Sequence, residues 1–301
     1  MNIFFDNINL DSSSGPNGFA KKLMSSLEKD FKVPVDWKFS SSKKYDVQLA
    51  FIMANFKVAP LIQRLDGIYF NTDQDYEQLN SPIHATYQAA DSVIFQSDFN
   101  KKLTESYFGK HEDSHVINNG TDLQKISNIK PIESELIDKF ENIWSCASSW
   151  RPHKRLEENI NYFLEHAGSN DCLIIAGENP DFRCEDPRVL YAGHLPWDAL
   201  IGLFKRSQTF LHLSWLDHCP NVVVDARAAG CNIVCSSSGG TKEIAGPNAI
   251  IIEEDEWDFS PIKLYHPPKL DFSKKASNIY DIDISIENVS KKYLDIFKLY
   301  G

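Results

Sequence analysis

Ser214-Trp-Leu-Asp217-His-Cys-Pro220-Asn-Val-Val-Val-Asp225-Ala-Arg-Ala-Ala-Gly230 holds two carboxylates eight residues apart. Pro220 suits a first helical turn, where its missing N–H costs nothing, and Gly230 suits the position past a helix end. The Val-Val-Val and Ala-Ala runs fit a buried helix. Asp217 is then expected in the loop before that helix, with Asp225 about two turns in. A strand-like Cys231-Asn-Ile-Val-Cys235 follows, and after it Ser236-Ser-Ser-Gly239-Gly240-Thr-Lys-Glu243-Ile.

This layout suits a nucleotide-sugar. A loop carboxylate can accept hydrogen bonds from sugar hydroxyls, and a carboxylate further along the helix can hold a ribose diol. The helix N-terminus can face a diphosphate, because its free N–H groups and dipole attract anions. The Gly239-Gly240 turn offers further backbone amides. Either acid alone is equally what an ordinary buried α/β helix carries; the run from loop acid to Gly-Gly-x-x-Glu favours the ligand site.

The same residues resemble the C-terminal half of the retaining GT-B glycosyltransferases of family 4, the glycosyl transferases group 1. Their pattern is an acid, seven residues, an acid, Ala-x-x-x-Gly, a short strand and Gly-Gly-x-x-Glu. Asp217 and Asp225 match the acids, usually Glu, and Ala226, Gly230, Gly239, Gly240 and Glu243 match the rest. The Asp-for-Glu pair shortens both reaches by one methylene. The resemblance implies a doubly wound α/β chain of GT-B architecture: two Rossmann-like domains facing a cleft. It further implies metal-independent transfer of a sugar from a nucleotide-sugar, UDP- or GDP-linked, to an acceptor hydroxyl with retention. No cofactor is expected beyond that co-substrate.

Composition agrees with a globular enzyme. The 301 residues suffice for two domains of about 150 residues each. Hydrophobic content of 42% and aromatic content of 12% exclude disorder over most of the length. A net charge of −11 argues against general binding to nucleic acid or anionic lipid. Residues 21–44 are a local exception, with seven lysines against three acids. They read as a solvated face, or as a weak membrane-surface or polyanion contact of the N-terminal domain. The six cysteines form no Cys-x-x-Cys, and several lie in apolar runs. They read as reduced core residues of a cytoplasmic protein. An acid at Asp6 argues against a secretory leader, and no apolar run reaches the ~18 residues of a membrane span.

Along the chain, strands are expected near residues 2–6, 33–39, 46–52, 61–65, 92–96 and 115–118, with helices over 18–31, 83–90 and 99–108. A polar stretch at 119–135 is expected to link the halves. A second alternation follows: strands at 143–147, 172–176, 188–191 and 210–213, helices at 154–166 and 197–206. Residues 286–299 read as a terminal helix with Val289, Tyr293, Ile296 and Phe297 on one stripe. The expected domains are 1–125 on the acceptor side and 136–285 binding the nucleotide-sugar. Helix 286–301 is expected to pack back on the first.

Four further motifs carry the expected chemistry. Ser12-Ser-Ser-Gly15-Pro-Asn17-Gly18, after the first strand, resembles the family's glycine loop and is assigned to acceptor or phosphate contact. Ser148-Ser149-Trp-Arg151-Pro-His-Lys154-Arg155 resembles Gly-Arg-Leu-x-x-x-Lys-Gly. Lys154 matches the lysine, the expected arginine falls on Ser149, and Arg151 lies two residues later. Positive charge there stabilises a leaving diphosphate. Glu178, His218 and Asn221 complete the expected donor set. Asn119-Gly120-Thr-Asp122 resembles Pro-Asn-Gly-x-Asp and reads as a hinge. In Gln63-Arg64-Leu-Asp66, Asp66 is the acceptor-side candidate, with a cap paired to Arg64 as the simpler reading. Asp73-Gln-Asp75 imitates a metal motif, yet Asp281-Ile-Asp283 repeats it and no metal is assigned. The acceptor is expected to be a glycan, a lipid-linked group or a small molecule; a nucleic-acid base is less consistent with the charge. A sugar-nucleotide epimerase or hydrolase and an inactive sugar-nucleotide binder remain the rival readings.

Overall fold

The computed structural model describes residues 1–301 except Ser13, and the chain forms two α/β units. The first comprises Met1–Asp122, Phe259–Ile262 and Asp283–Gly301; the second comprises Leu123–Asp258 and Lys263–Ile282.

The first unit runs β1 (Ile3–Asp6), α1 (Gly15–Phe31), β2 (Val35–Asp36), β3 (Val47–Phe51), β4 (Leu61–Leu65), α2 (Tyr76–Ala89), β5 (Ser92–Phe95), α3 (Asp98–Phe108) and β6 (Ser114–Val116). Its strands form one sheet in the order β2-β1-β3-β4-β5-β6, and every pairing is parallel. Parallel strands need covered faces, which explains their near-continuous apolar burial. Ile3 and Phe5 join Phe19, Leu23 and Leu27 of α1 in one core. Phe4, alternating to the other face, meets Phe39, Tyr45 and Phe56.

The second unit runs α4 (Leu123–Asn128), α5 (Glu135–Asp138), β7 (Ile143–Ala147), α6 (Leu156–His166), β8 (Cys172–Ala176), β9 (Val189–Gly193), α7 (Trp197–Arg206), β10 (Thr209–His212), α8 (Asn221–Ala228), β11 (Asn232–Ser236), α9 (Thr241–Ile244), β12 (Ile250–Ile252) and β13 (Lys275–Ser277). The sheet order is β13-β12-β11-β10-β7-β8-β9, parallel except for β12–β13. The chain order reverses between β7 and β10. Ligands of doubly wound sheets bind outside the carboxyl ends of the strands at such a reversal.

The terminal helix α10 (Ile286–Tyr300) belongs to the first unit and packs on α1. Its stripe buries Ile286, Val289, Tyr293, Leu294, Ile296 and Phe297. At ~1.5–3 kcal/mol for each buried large side chain, that face contributes on the order of 10 kcal/mol before entropy is charged.

Several local expectations shift. α1 starts at Gly15 with Pro16 in its first turn, so the expected glycine loop is partly helix. The strand expected over 33–39 shrinks to Val35–Asp36. α2 starts at Tyr76 because Asp75 caps it, accepting from the Gln78 amide at 3.0 Å, and it tolerates Pro82 inside. The stretch 119–135 holds α4, and the unit boundary falls at Asp122. The helix expected from residue 154 begins at Leu156, after a 3-10 turn over Pro152–Lys154.

Candidate donor-sugar site in the second unit

Lys154 follows β7 and Asp217 follows β10, so the two come off the strands that flank the reversal. Lys154 Nζ donates to Asp217 Oδ2 at 2.5 Å. His212, the last residue of β10, places Nε2 3.0 Å from the same oxygen, and the other oxygen accepts from the His218 amide at 3.0 Å. Burial disfavours the Asp217 charge, but Lys154 and His212 outweigh it and hold the carboxyl well below its ordinary range. The neighbouring histidines are kept neutral. Burial, with Lys154 adding to it, pushes His153 down to about 3. Burial brings His218 to about 4 and also lowers His212. The site is therefore one fixed cation and one fixed anion among neutral imidazoles.

The Gly239-Gly240 turn explains its own residues. Gly239 has φ 78°, and a Cβ there would lie 2.3 Å from the Asp217 carbonyl oxygen and 2.8 Å from its nitrogen. Only glycine allows that approach. The Gly240 amide then donates to the Asp217 carbonyl at 2.8 Å. The preceding serines bind the same loop: Ser236 Oγ donates to the Ser214 carbonyl at 2.7 Å, and the Leu216 amide donates to Ser238 Oγ at 3.4 Å. Leu216 itself sits at φ 55°, a left-handed conformation that these bonds hold in place.

A buried ion pair closes the assembly from behind. Arg155 Nη2 donates to Glu254 Oε1 at 2.6 Å and to the Pro268 carbonyl at 2.8 Å, and Ser238 Oγ donates to Glu254 Oε2 at 2.6 Å. Arg155 has φ 51°, where the family pattern carries glycine. A left-handed turn after Lys154 is thus made by a residue with a buried guanidinium. Sequence reading missed Arg155, Glu254 and His212. A basic residue in place of the patterned glycine was the available signal for the first; the other two gave none, because they meet the site only through the sheet.

The remaining expected donor residues are placed as follows. Asp225 is buried in α8, as the fifth residue of the helix, little more than one turn in. Its Oδ2 accepts from the Trp197 indole N–H at 2.9 Å. Asn221 opens α8 and Pro220 caps it. Arg151 and Ser149 are exposed. Glu178 is exposed, 3.7 Å from His194. Glu243 is buried in α9.

In the first unit, Asp66 follows β4 and pairs with the fully buried Arg64. Gly15, Asn17 and Gly18 lie in the first turn of α1. Asn17 accepts from the Asn9 amide at 2.7 Å and donates to Ser14 Oγ at 2.8 Å, so it ties the loop to the helix. Ser13 of that motif lies outside the described residues. The Cβ of a residue at Gly120 would meet Val289 at 2.8 Å, so the expected hinge glycine is a packing position against α10. Of the lysines in 21–44, Lys43 pairs with Asp36, and Lys21 and Lys32 donate to carbonyls. Among the described residues, no three His, Cys, Asp or Glu gather as metal ligands, and no helix is long and apolar enough to cross a membrane.

Residues 132–259 match the family of glycosyl transferases group 1. That stretch, similar to the group 1 glycosyltransferases, contains every donor-side residue described above. Solved structures align over nearly the whole chain. HepE from Anabaena, determined with UDP and glucose, is 15% identical with a TM-score of 0.66, over 99% of this chain and 100% of that one. Sucrose-phosphate synthase from Thermosynechococcus elongatus is 13% identical with a TM-score of 0.65, over 99% and 91%. Trehalose-6-phosphate synthase OtsA is 10% identical with a TM-score of 0.62, over 99% and 98%. At such identities the likeness carries the fold, which is GT-B. No curated protein matches the sequence.

Proposed function

We propose that the group 1-like domain binds a UDP- or GDP-sugar and transfers the sugar to an acceptor hydroxyl with retention of configuration and without a metal. The observation that carries this reading is the Lys154–Asp217 pair at the sheet reversal, beside the Gly239-Gly240 turn and the start of α8. The ammonium and the carboxylate satisfy each other. A nucleotide-sugar replaces that contact on both sides: Lys154, joined by Arg151 and the glycine amides, takes the diphosphate, while Asp217 takes sugar hydroxyls. Asp225, steadied by Trp197, takes the ribose diol. Ser149, His218, Asn221 and Glu178 line the same ligand.

In the transfer, the bond from the anomeric carbon to the diphosphate oxygen breaks as a bond to the acceptor oxygen forms on the same face. The acceptor proton passes to the departing diphosphate. The protein contributes positioning and a cation placed where negative charge develops, in a partly dry site where such charge acts strongly. Asp66, with Gly15, Asn17 and Gly18, serves the acceptor, a glycan, lipid-linked group or small molecule. The six cysteines are free thiols, five of them buried, which suits a reducing cytoplasm.

The test is turnover of a panel of UDP- and GDP-sugars, followed by release of the nucleoside diphosphate and by the anomeric configuration of the product. One donor should be consumed with retention, and Asp217→Asn and Lys154→Ala should each slow it at least 100-fold. If both variants turned over at the wild-type rate, the assignment would fail. Consumption of donor without any acceptor would instead favour a hydrolase or epimerase.

A further inference from the structure

Arg64 is an unusual occupant of a central strand. Its side chain is completely buried in β4 and lies 4.1 Å above the Phe19 ring and 5.5 Å from that of Phe51. A buried ion pair is seldom retained for stability, since apolar residues of the same volume usually do as well. Its donors are nonetheless aimed one by one. Nε donates to the Tyr293 hydroxyl of α10 at 3.1 Å, and Nη2 donates to Asn119 Oδ1 at 2.7 Å. Nη2 also reaches Gln96 Oε1 at 3.5 Å, and Nη1 faces Asp66 Oδ1.

The supports are themselves braced. Asn119 Nδ2 donates to Gln96 Oε1 at 3.2 Å, and Gln96 Nε2 donates to the Asp66 carbonyl at 2.6 Å. Gln96 follows β5, Asn119 lies beyond β6 and Asp66 follows β4. All three therefore stand at the carboxyl edge of the sheet, the edge that carries ligands in such folds. Two atoms of the network make no hydrogen bond among the described residues: Arg64 Nη1, which is held by its ion pair with Asp66 Oδ1, and the other Asp66 oxygen, Oδ2, which is buried. An acceptor oxygen so placed lacks a donor, and a buried polar atom without one is costly.

We propose that Arg64, aimed by Tyr293, Asn119 and Gln96, is a positioning residue that fixes one oxygen of Asp66 and presents the other to a hydroxyl of the sugar acceptor. This rests on the reading that Asp66 serves the acceptor. It gives α10 a part in that reading, because Tyr293 supplies the contact that sets the guanidinium. It also accounts for Asn119, whose place before Gly120 otherwise reads as a turn. Burial keeps the Asp66 carboxyl above the ordinary range despite Arg64, so its ionisation is sensitive to how well the guanidinium is held. Arg64 is the charged group acting on Asp66, and Asp66 and Tyr293 are the groups acting on Arg64.

The experiment is the pH profile of sugar transfer for the wild type, Asp66→Asn, Tyr293→Phe and Asn119→Asp, with melting temperatures measured alongside. Asn119→Asp keeps the volume but offers Arg64 a second carboxylate. The wild type should lose activity on the acid side as Asp66 protonates. In Tyr293→Phe and Asn119→Asp that acid limb should move to higher pH, by about half a unit or more, because Asp66 loses part of its counter-charge. An unmoved limb, with rates falling only in step with stability, would mean that Arg64 is merely structural and would overturn the proposal. If Asp66→Asn retains the acid limb, the limb is not Asp66's, and it is the acceptor role itself that fails. A variant that does not fold is replaced by Gln96→Glu, read in the same way.

Discussion

Gly239→Ala is the perturbation that separates a strained turn from a built site. The new Cβ would stand 2.3 Å from the Asp217 carbonyl oxygen, about 1 Å short of an ordinary carbon–oxygen approach of ~3.3 Å. The obstructing atoms are backbone, so the loop must move rather than a rotamer. Holding alanine at φ 78° costs ~1 kcal/mol or more. Losing the 2.8 Å bond from Gly240 to Asp217 costs ~1 kcal/mol again. The total is roughly 2–3 kcal/mol, or about 5–10 °C in melting temperature. The effect on chemistry should be larger than the effect on folding, because a shift of ~1 Å in a reacting group can cost ~100-fold in rate. Gly230→Ala is the control. It has φ 98° with no atom within 4 Å of its Cβ, so it carries backbone strain alone. Melting curves and donor turnover are measured on both variants. A Gly239→Ala variant that melts with Gly230→Ala and transfers sugar as fast as the wild type would show that the close approach of the two loops does not matter.

Three further outcomes follow from the same geometry. His153 and His218 sit at about 3 and about 4 in the folded chain, against ~6.5 unfolded. Below pH ~6.5 the unfolded chain takes up protons that the folded one refuses, so each should cost ~1.4 kcal/mol of stability per pH unit until its folded pKa is reached; denaturant titrations at pH 7, 6 and 5 should show this slope reduced in His153→Gln and His218→Gln. Arg155→Gly relieves a left-handed residue but strands Glu254, and a broken buried pair at ~3–5 kcal/mol outweighs strain relief of ~1 kcal/mol; urea melts should show net destabilisation, partly recovered by adding Glu254→Gln. Trp197→Phe removes the indole bond to Asp225 and should raise the donor KM about tenfold with little change in kcat, the ~1.5 kcal/mol at the low end for one hydrogen bond to a charged group; an unchanged KM would detach Asp225 from the ribose.

The parallel alternation and the acid pair were legible because both are local. Strand runs such as Cys172–Ala176 are buried on both faces, and the run from Asp217 to Glu243 is contiguous in the chain. What stayed hidden depends on contacts far apart in sequence. Glu254 reaches Arg155 over 99 residues, and Tyr293 reaches Arg64 over 229. No periodicity encodes such pairs. The early start of α1 was missed for a different reason: the prolyl ring at Pro16 and the serines before it read as loop, yet proline is a favoured first-turn residue. Asp73-Gln-Asp75 shows the converse, a metal-like motif whose Asp75 is a helix cap.

The most direct test of the donor site is calorimetric titration of UDP, GDP and their hexose conjugates onto the wild type and Lys154→Ala at fixed salt. One nucleotide series should bind the wild type selectively, and Lys154→Ala should weaken it at least tenfold, since a cation placed to receive a diphosphate is lost. Equal affinity in the two proteins, or no binding of any nucleotide by the wild type, would contradict the donor-site assignment.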